Sequence, residues 1–200
     1  MDFTNLASHL QRRGFLPVIH ASLQEAAEAI LRAIPQGASV GIGGSMSVEE
    51  SGLYPALLEA GHPVYWHWKT PETSEATRAQ ALAADVYLTG TNAITEDGIL
   101  INTDGNGNRV VGQFYGPQTV HFLVGRNKVA ADIPAGLRRV REVACPRNAR
   151  RLGLSTPCAK TGQCHNCRSS QTMCRVTTLL EGPVMGRKVY IHLIDQDIGF

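Results

Sequence analysis

The chain has 200 residues, 43% of them hydrophobic and 18% charged, so it can form a hydrophobic core and is not a disordered chain. No apolar run approaches the ~20 residues that span a bilayer, and residues 1–5 lack the basic and apolar regions of a signal peptide. A net charge of +2 argues against bulk binding of nucleic acid. We therefore expect a cytoplasmic protein that contacts neither a membrane nor nucleic acid.

Helices and strands alternate in the first half of the chain. Ser22 and Glu25 form a capping box at the start of one helix, and Ser47 and Glu50 form another. In chain order, the pattern predicts a helix at 3–13, a strand at 16–20, a helix at 23–34, a strand at 39–42, a helix at 47–60, a strand at 63–68, a helix at 71–83 and a strand at 85–89.

The second half begins with a hairpin that turns at Asp97-Gly98. Asp132 as N-cap and Pro134 in the first turn begin a helix that continues to about residue 148. The last two strands are expected to pair with each other. In chain order, the elements are strands at 94–95 and 99–102, a short helix from 109, a strand at 120–125, a helix at 132–148, an irregular segment at 152–175, and strands at 176–180 and 188–194.

Alternating strands and helices at this spacing predict an α/β fold. We expect a mainly parallel sheet with helices on both faces, formed by one domain over residues 1–200. The irregular, cysteine-bearing segment 152–175 is an insertion within that domain. Trp66 and Trp68 alternate along a predicted strand and are expected to pack in the core.

A glycine turn links the strand at 39–42 to the next helix. Glycines let a ligand approach the backbone, and free N–H groups at a helix start attract an anion. The turn is neither a P-loop nor a full dinucleotide fingerprint, and a tight turn without a ligand would explain the same residues. The candidate ligand-binding residues here are Gly41, Gly43, Gly44, Ser45 and Ser47.

A second polar region follows the strand at 85–89 and the hairpin. Ligands of open α/β sheets bind at the carboxyl ends of strands, which favours a site over ordinary turn chemistry. The candidate ligand-binding residues here are Gly90, Asn92, Asp104, Asn106, Asn108 and Arg109.

All five cysteines lie in the last third of the chain, and thirteen of the nineteen Lys and Arg residues lie between residues 126 and 188. The spacing C-x5-C-x2-C-x6-C provides four thiolates, enough for tetrahedral zinc or an iron–sulfur cluster, with His165 as a substitute ligand. Disulfides are disfavoured in a cytosolic chain. Cys145 is expected to be an apolar core residue. The candidate metal ligands are Cys158, Cys164, Cys167 and Cys174.

Three stretches together resemble the lactate-utilization (LUD) domain: 41–50, 90–98 and 102–109. The resemblance continues through 146–149, 156–162 and 199–200. It implies a fold similar to the sugar-isomerase and CoA-transferase-like α/β proteins. It also implies a link to operons that oxidise L-lactate to pyruvate with iron–sulfur partner proteins, and a pocket lined by the glycine turn and the Asn/Asp-rich loop.

Three functions are consistent with these features. The first is an accessory subunit of lactate oxidation that binds a small anionic metabolite or nucleotide and contacts an iron–sulfur redox protein through the basic segment. The second is an enzyme acting on a CoA ester or sugar phosphate, for which Glu49, Glu50 and Glu96 are the candidate catalytic carboxylates. The third is a non-catalytic interaction module stabilised by a metal at the cysteines. A homo-oligomer is compatible with each of them.

Overall fold

The computed structural model describes the backbone of residues 1–200 and every side chain except that of Glu72. The strands are β1 (Leu16–His20), β2 (Val40–Ile42), β3 (Val64–Tyr65), β4 (Val86–Gly90), β5 (Ala93–Thr95), β6 (Leu100–Asp104), β7 (Thr119–Gly125), β8 (Val129–Ala130), β9 (Val176–Leu180) and β10 (Lys188–Ile194). The helices are α1 (Thr4–Arg12), α2 (Leu23–Ala33), α3 (Met46–Glu50), α4 (Leu53–Glu59), α5 (Ser74–Leu82), α6 (Asn108–Gly112), α7 (Ile133–Arg139), α8 (Cys145–Arg151) and α9 (Pro157–Thr161). Short 3-10 turns lie at Pro71–Thr73 and Arg126–Lys128, and a π-helical segment, Val140–Ala144, joins α7 to α8.

Six strands form a fully parallel sheet in the order β1-β10-β7-β4-β2-β3. One face of the sheet packs against α1, whose Leu6 and Leu10 are buried, and the other packs against α2 and α4. The predicted α/β fold, with a mainly parallel sheet and helices on both faces, is therefore confirmed. Among the described helices, none is both long enough and apolar enough to cross a membrane.

The expected pairing of the last two strands is wrong. β10 lies inside the main sheet between β1 and β7, whereas β9 pairs antiparallel with β6 in a second sheet of order β8-β5-β6-β9. Val189, Ile191 and Leu193 are buried on one face of β10, and His192 and Ile194 are buried on the other, which is typical of a strand covered on both faces. An interior position in the parallel sheet explains this burial.

The glycine turn continues into a helix that differs from the predicted one. Ser45, not Ser47, is the N-cap of α3, and its Oγ accepts from Val48 N. The helix stops after one turn because Gly52 adopts a φ of 69°, and α4 begins at the next residue. Since Ser47 is not the cap, its hydroxyl remains available for another partner.

Three buried histidines form a ladder across β1, β10 and β7. His20 Nε2 lies 2.9 Å from His192 Nδ1, and His192 Nε2 lies 2.9 Å from His121 Nδ1. At the outer end of the ladder, Glu25 Oε1 is 3.8 Å from His20 Nδ1. All three side chains are about 2–3% exposed, so the ladder is part of the core.

Acidification is expected to destabilise the protein through this ladder. Burial lowers the pKa of His121 from 6.5 to about 4 and that of His192 to about 2, while the unfolded chain still titrates near 6.5. The unfolded state therefore binds more protons than the folded state as the pH falls below 6.5. The stability that the neutral histidines contribute is fully present above pH 6.5 and is lost as the pH falls towards 4. The free energy of unfolding decreases by up to about 1.4 kcal/mol per pH unit for each histidine. Urea unfolding across this range measures the slope. His192→Gln should make it shallower and exposed His165→Gln should not; equal slopes in all three proteins would contradict the account.

Candidate functional site

A cavity of about 480 Å³ lies at the carboxyl ends of β2, β4 and β7, where open α/β sheets bind ligands. The helix start at 44–47, the segment 90–92 and the loop 103–109 form three of its walls, and segment 170–175 forms a fourth. Nine of the eleven ligand-binding candidates line it: Gly44, Ser45, Ser47, Gly90, Asn92, Asp104, Asn106, Asn108 and Arg109.

The other two candidates, Gly41 and Gly43, lie beneath the cavity and are explained by packing. A Cβ on Gly41 would stand 2.1 Å from Ala81 O, and one on Gly43 would stand 2.8 Å from Tyr87 Oη. Glycine is needed at both positions because α5 and Tyr87 approach the backbone of β2 closely.

Arg109 organises the polar wall of the cavity. Its guanidinium donates to Asp104 Oδ2 (3.2 Å), Asn102 Oδ1 (2.6 Å), Asn92 Oδ1 (3.0 Å) and Thr103 O (2.7 Å), and the side chain is 9% exposed. Asn92 in turn accepts from the backbone N–H of Thr103. This network holds β4 and β6 together at the point where both strands end.

Lys128 and Ser47 meet at the floor of the cavity. Lys128 Nζ donates to Ser47 Oγ at 2.6 Å, and the two residues are 3% and 1% exposed. Lys128 takes part in none of the ion pairs found among the described side chains. Burial, followed by the nearby charges of Arg139 and Arg109, lowers the pKa of Lys128 to about 7.

Several lining residues were not predicted from the sequence, and they make the cavity cationic. Lys128 ends the 3-10 turn that follows β7, so the expectation that ligands bind at the carboxyl ends of strands, which identified Gly90 and Asn92, also applies to it. Trp68, expected in the core, lines the cavity, and the Arg151 guanidinium lies 4.1 Å from its ring centre. Burial lowers the pKa of His67, also in the lining, to about 4, so this imidazole is neutral at pH 7. The further cationic lining residues are Arg78 and Arg175.

The three candidate catalytic carboxylates lie outside the lining of the cavity. Glu49 Oε1 accepts from Lys69 Nζ at 2.8 Å, Glu50 Oε2 accepts from the backbone N–H of Gly199, and the Glu96 side chain is exposed beside the hairpin turn. Since the second function requires a carboxylate at the reacting group, these positions do not favour it. The catalytic role of these residues stays a prediction.

The four candidate metal ligands do not come together. Cys158 Sγ lies 3.3 Å from Thr156 Oγ1, and Cys164 Sγ accepts from the backbone N–H of Asn166. Among the described residues, no group of three or more His, Cys, Asp or Glu side chains is arranged to hold a metal ion. Segment 152–175 forms one short helix, α9, and the metal role of its four cysteines stays a prediction.

Cys145 is buried, as expected, and packs with Ala93 and Ile101. The nearby Cys145 thiol lowers the pKa of Cys174, and Cys174 together with burial raises the pKa of Cys145.

Cys174 is therefore expected to alkylate faster than the other thiols at pH 7, because the thiolate is the nucleophile and Cys174 has the lowered pKa. Iodoacetamide labelling followed by peptide mass spectrometry measures the rate at each cysteine. Exposed Cys164 is the matched reference. Equal rates at the two positions would contradict the lowered pKa of Cys174.

The fold and the cavity define a parallel α/β domain with a cationic site at the carboxyl ends of its strands. A family model described as the LUD domain matches residues 4–194, so the chain belongs to the LUD domain family, which is associated with lactate utilization. A DUF162 family protein from Deinococcus radiodurans is similar in structure, with a TM-score of 0.56 and 16% identity over 95% of this chain and 94% of that chain. That likeness shows the fold alone. No curated protein matches the sequence.

Proposed function

We propose that the cavity binds a small metabolite carrying a carboxylate or phosphate group, and that the protein serves the oxidation of L-lactate to pyruvate as an accessory subunit. The observation that carries the binding proposal is the charge of the lining. It contains four arginines and Lys128, and Asp104, its one carboxylate side chain among the described residues, is already paired with Arg109. The four arginines are Arg78, Arg109, Arg151 and Arg175.

An anionic ligand would offset this excess of positive charge. Cations gathered around a partly desolvated cavity repel one another, and the repulsion is stronger than in bulk water. A cavity of about 480 Å³ is within the size range of metabolite sites. Family association with lactate utilization supports a carboxylate metabolite, lactate or pyruvate, as the first ligand to test.

A nucleotide is the second ligand class, and Trp68 is the observation that favours it. Its ring lines the cavity beside the Arg151 guanidinium. An aromatic face next to a cation suits a stacked base with a phosphate nearby.

Intrinsic fluorescence tests the binding proposal, because the chain has two tryptophans, Trp66 and Trp68, and their rings stack 5.3 Å apart. L-lactate, pyruvate, inorganic phosphate, AMP, CoA and a sugar phosphate are titrated separately, with thermal shifts as a second readout. We expect saturable binding of at least one anion, weakened about 5-fold or more by Arg151→Met, which corresponds to about 1 kcal/mol. Arg126→Met, outside the cavity, is the matched control. No response to any of these compounds would overturn the proposal.

The accessory role rests on the basic surface of the cysteine-bearing region. Arg147, Arg150, Lys160 and Arg168 are exposed there, and such a surface suits an acidic iron–sulfur redox protein. The test is lactate-dependent dye reduction by the reconstituted operon proteins with and without this subunit. An activity that is indifferent to the subunit would show that the role is wrong.

A further inference from the structure

Lys128 is the buried group of the cavity that anion binding by itself does not explain. A buried ammonium without a carboxylate partner is costly, and an arginine binds a carboxylate or phosphate with better geometry. The cavity already has arginines for that purpose. Lysine differs from arginine in one chemical respect, since it can lose its proton and become a nucleophilic amine.

Two glycines, Gly90 and Gly199, lie close to the Lys128 amine: a Cβ on Gly90 would lie 3.5 Å from Nζ, and one on Gly199 would lie 3.4 Å from it. Both hypothetical atoms would clash with a serine hydroxyl, Ser45 Oγ at 2.7 Å and Ser47 Oγ at 2.6 Å. Glycines at both positions therefore preserve the space around the two hydroxyls, and Ser47 is the one that contacts the amine.

Two physical effects make this amine reactive near neutral pH. Nζ is desolvated, and cationic Arg109 and Arg139 lie close enough to disfavour a further positive charge. Desolvation and a neighbouring cation are the two conditions that activate lysine nucleophiles in enzymes. With a pKa of about 7, a substantial fraction of Lys128 is unprotonated at pH 7.

We propose that Lys128 forms an imine with the carbonyl carbon of an anionic ligand, either a small 2-oxo acid or an aldehyde phosphate. This inference rests on the proposed function, because the arginines of the same cavity hold the ligand's anionic group. The shared chemistry of the two ligand sources is a carbonyl group close to a carboxylate or phosphate.

The reaction needs no oxidant or reductant. The lone pair of Nζ attacks the carbonyl carbon, a C–N bond forms, and the carbonyl π electrons move to oxygen. A proton passes from nitrogen to that oxygen through the Ser47 hydroxyl, which gives a carbinolamine. The nitrogen lone pair then forms the C=N bond as the C–O bond breaks. The remaining N–H proton passes through Ser47 to the departing oxygen, which leaves as water, and the imine remains. Ser47 is therefore a catalytic residue that relays both protons.

Borohydride trapping tests the proposal on the full chain. The protein is incubated with pyruvate or with glyceraldehyde 3-phosphate, and sodium borohydride reduces any imine to a stable secondary amine. We expect a mass increase equal to the ligand minus one oxygen atom, mapped by peptide mass spectrometry to Lys128. An adduct with pyruvate identifies the 2-oxo acid as the source, and one with the triose phosphate identifies the aldehyde phosphate.

The chain has three other lysines, Lys69, Lys160 and Lys188, which serve as internal references in the same spectrum. Lys128→Met should abolish the adduct, and exposed Lys188→Met should retain it. Ser47→Ala should slow trapping about 10-fold or more, and an unchanged rate would overturn the relay. Equal labelling of all four lysines, or none at Lys128, would overturn the imine proposal even if Lys128→Met fails to fold.

Pyruvate fluorescence titration of the same sample separates the two proposals. Quenching by pyruvate without an adduct leaves the anion site standing and overturns the imine. If all anions fail to bind and neither carbonyl compound gives an adduct, both proposals are wrong.

Discussion

Replacing Arg109 with leucine is expected to destabilise the protein by about 3–5 kcal/mol, the cost of removing one partner of a buried ion pair. The substitution leaves the Asp104 carboxylate and the side-chain oxygens of Asn92 and Asn102 without their common donor. It also loosens the junction of β4 and β6. Urea unfolding gives the free energy, and the fluorescence titration gives the expected loss of anion binding.

The control for this change is Arg126→Leu. Arg126 pairs with Asp195 and Asp197, but its side chain is 47% exposed, so we expect a much smaller loss of stability than for Arg109→Leu. Similar losses of stability in the two variants would show that the buried network around Arg109 stabilises the protein no more than an exposed ion pair does.

Replacing Lys128 with methionine is expected to act in opposite directions on stability and on binding. Because the pKa of Lys128 is about 7 in the folded state and 10.5 when unperturbed, the unfolded chain binds the extra proton between these values. The buried ammonium therefore lowers the free energy of unfolding of the wild type most at and below pH 7, and this loss of stability disappears as the pH rises to 10.5. The variant should gain about 2–4 kcal/mol at pH 6, with the gain shrinking towards pH 10, while losing affinity for anions.

Exposed Lys188→Met provides the comparison, since its effect should stay within about 0.5 kcal/mol at every pH. Urea unfolding at three pH values measures both variants. A Lys128→Met protein that is less stable than the wild type at pH 6 would contradict the view that the ammonium is an unpaired buried charge.

Local sequence signals predicted most of the elements but not their assembly. Ser22 caps α2 as its capping box indicates, and the hairpin turns at Gly98 with a φ of 90°. The partners of β9 and β10 are set by contacts between segments distant in the sequence, and the local sequence of each strand does not specify them. The capping serine of α3 was misplaced by two residues because Ser45 and Ser47 are chemically equivalent candidates.

The site was predictable where it follows the ends of strands. Gly44, Gly90 and Asp104 line the cavity for that reason. Arg151 and Arg175 lie far from the strand ends in the sequence. Arg151 reaches the cavity by stacking on Trp68, and Arg175 reaches it through its backbone N–H, which donates to Asp104 O.

The cysteine spacing indicates a metal site that the described residues do not show. Spacing fixes how far apart thiols lie along the chain, but in an irregular segment it does not fix their directions.

The histidine ladder has one more consequence, which concerns the tautomers of its rings. A neutral imidazole has one N–H, so two N···N hydrogen bonds in series require all three rings to donate in the same direction. Glu25 selects the direction, because its carboxylate favours an N–H rather than a lone pair on His20 Nδ1. The proton then lies on Nδ1 of His20, His192 and His121 alike. A substitution at Glu25 would therefore change which nitrogen of His121 carries the proton, although His121 lies in β7, inside the sheet.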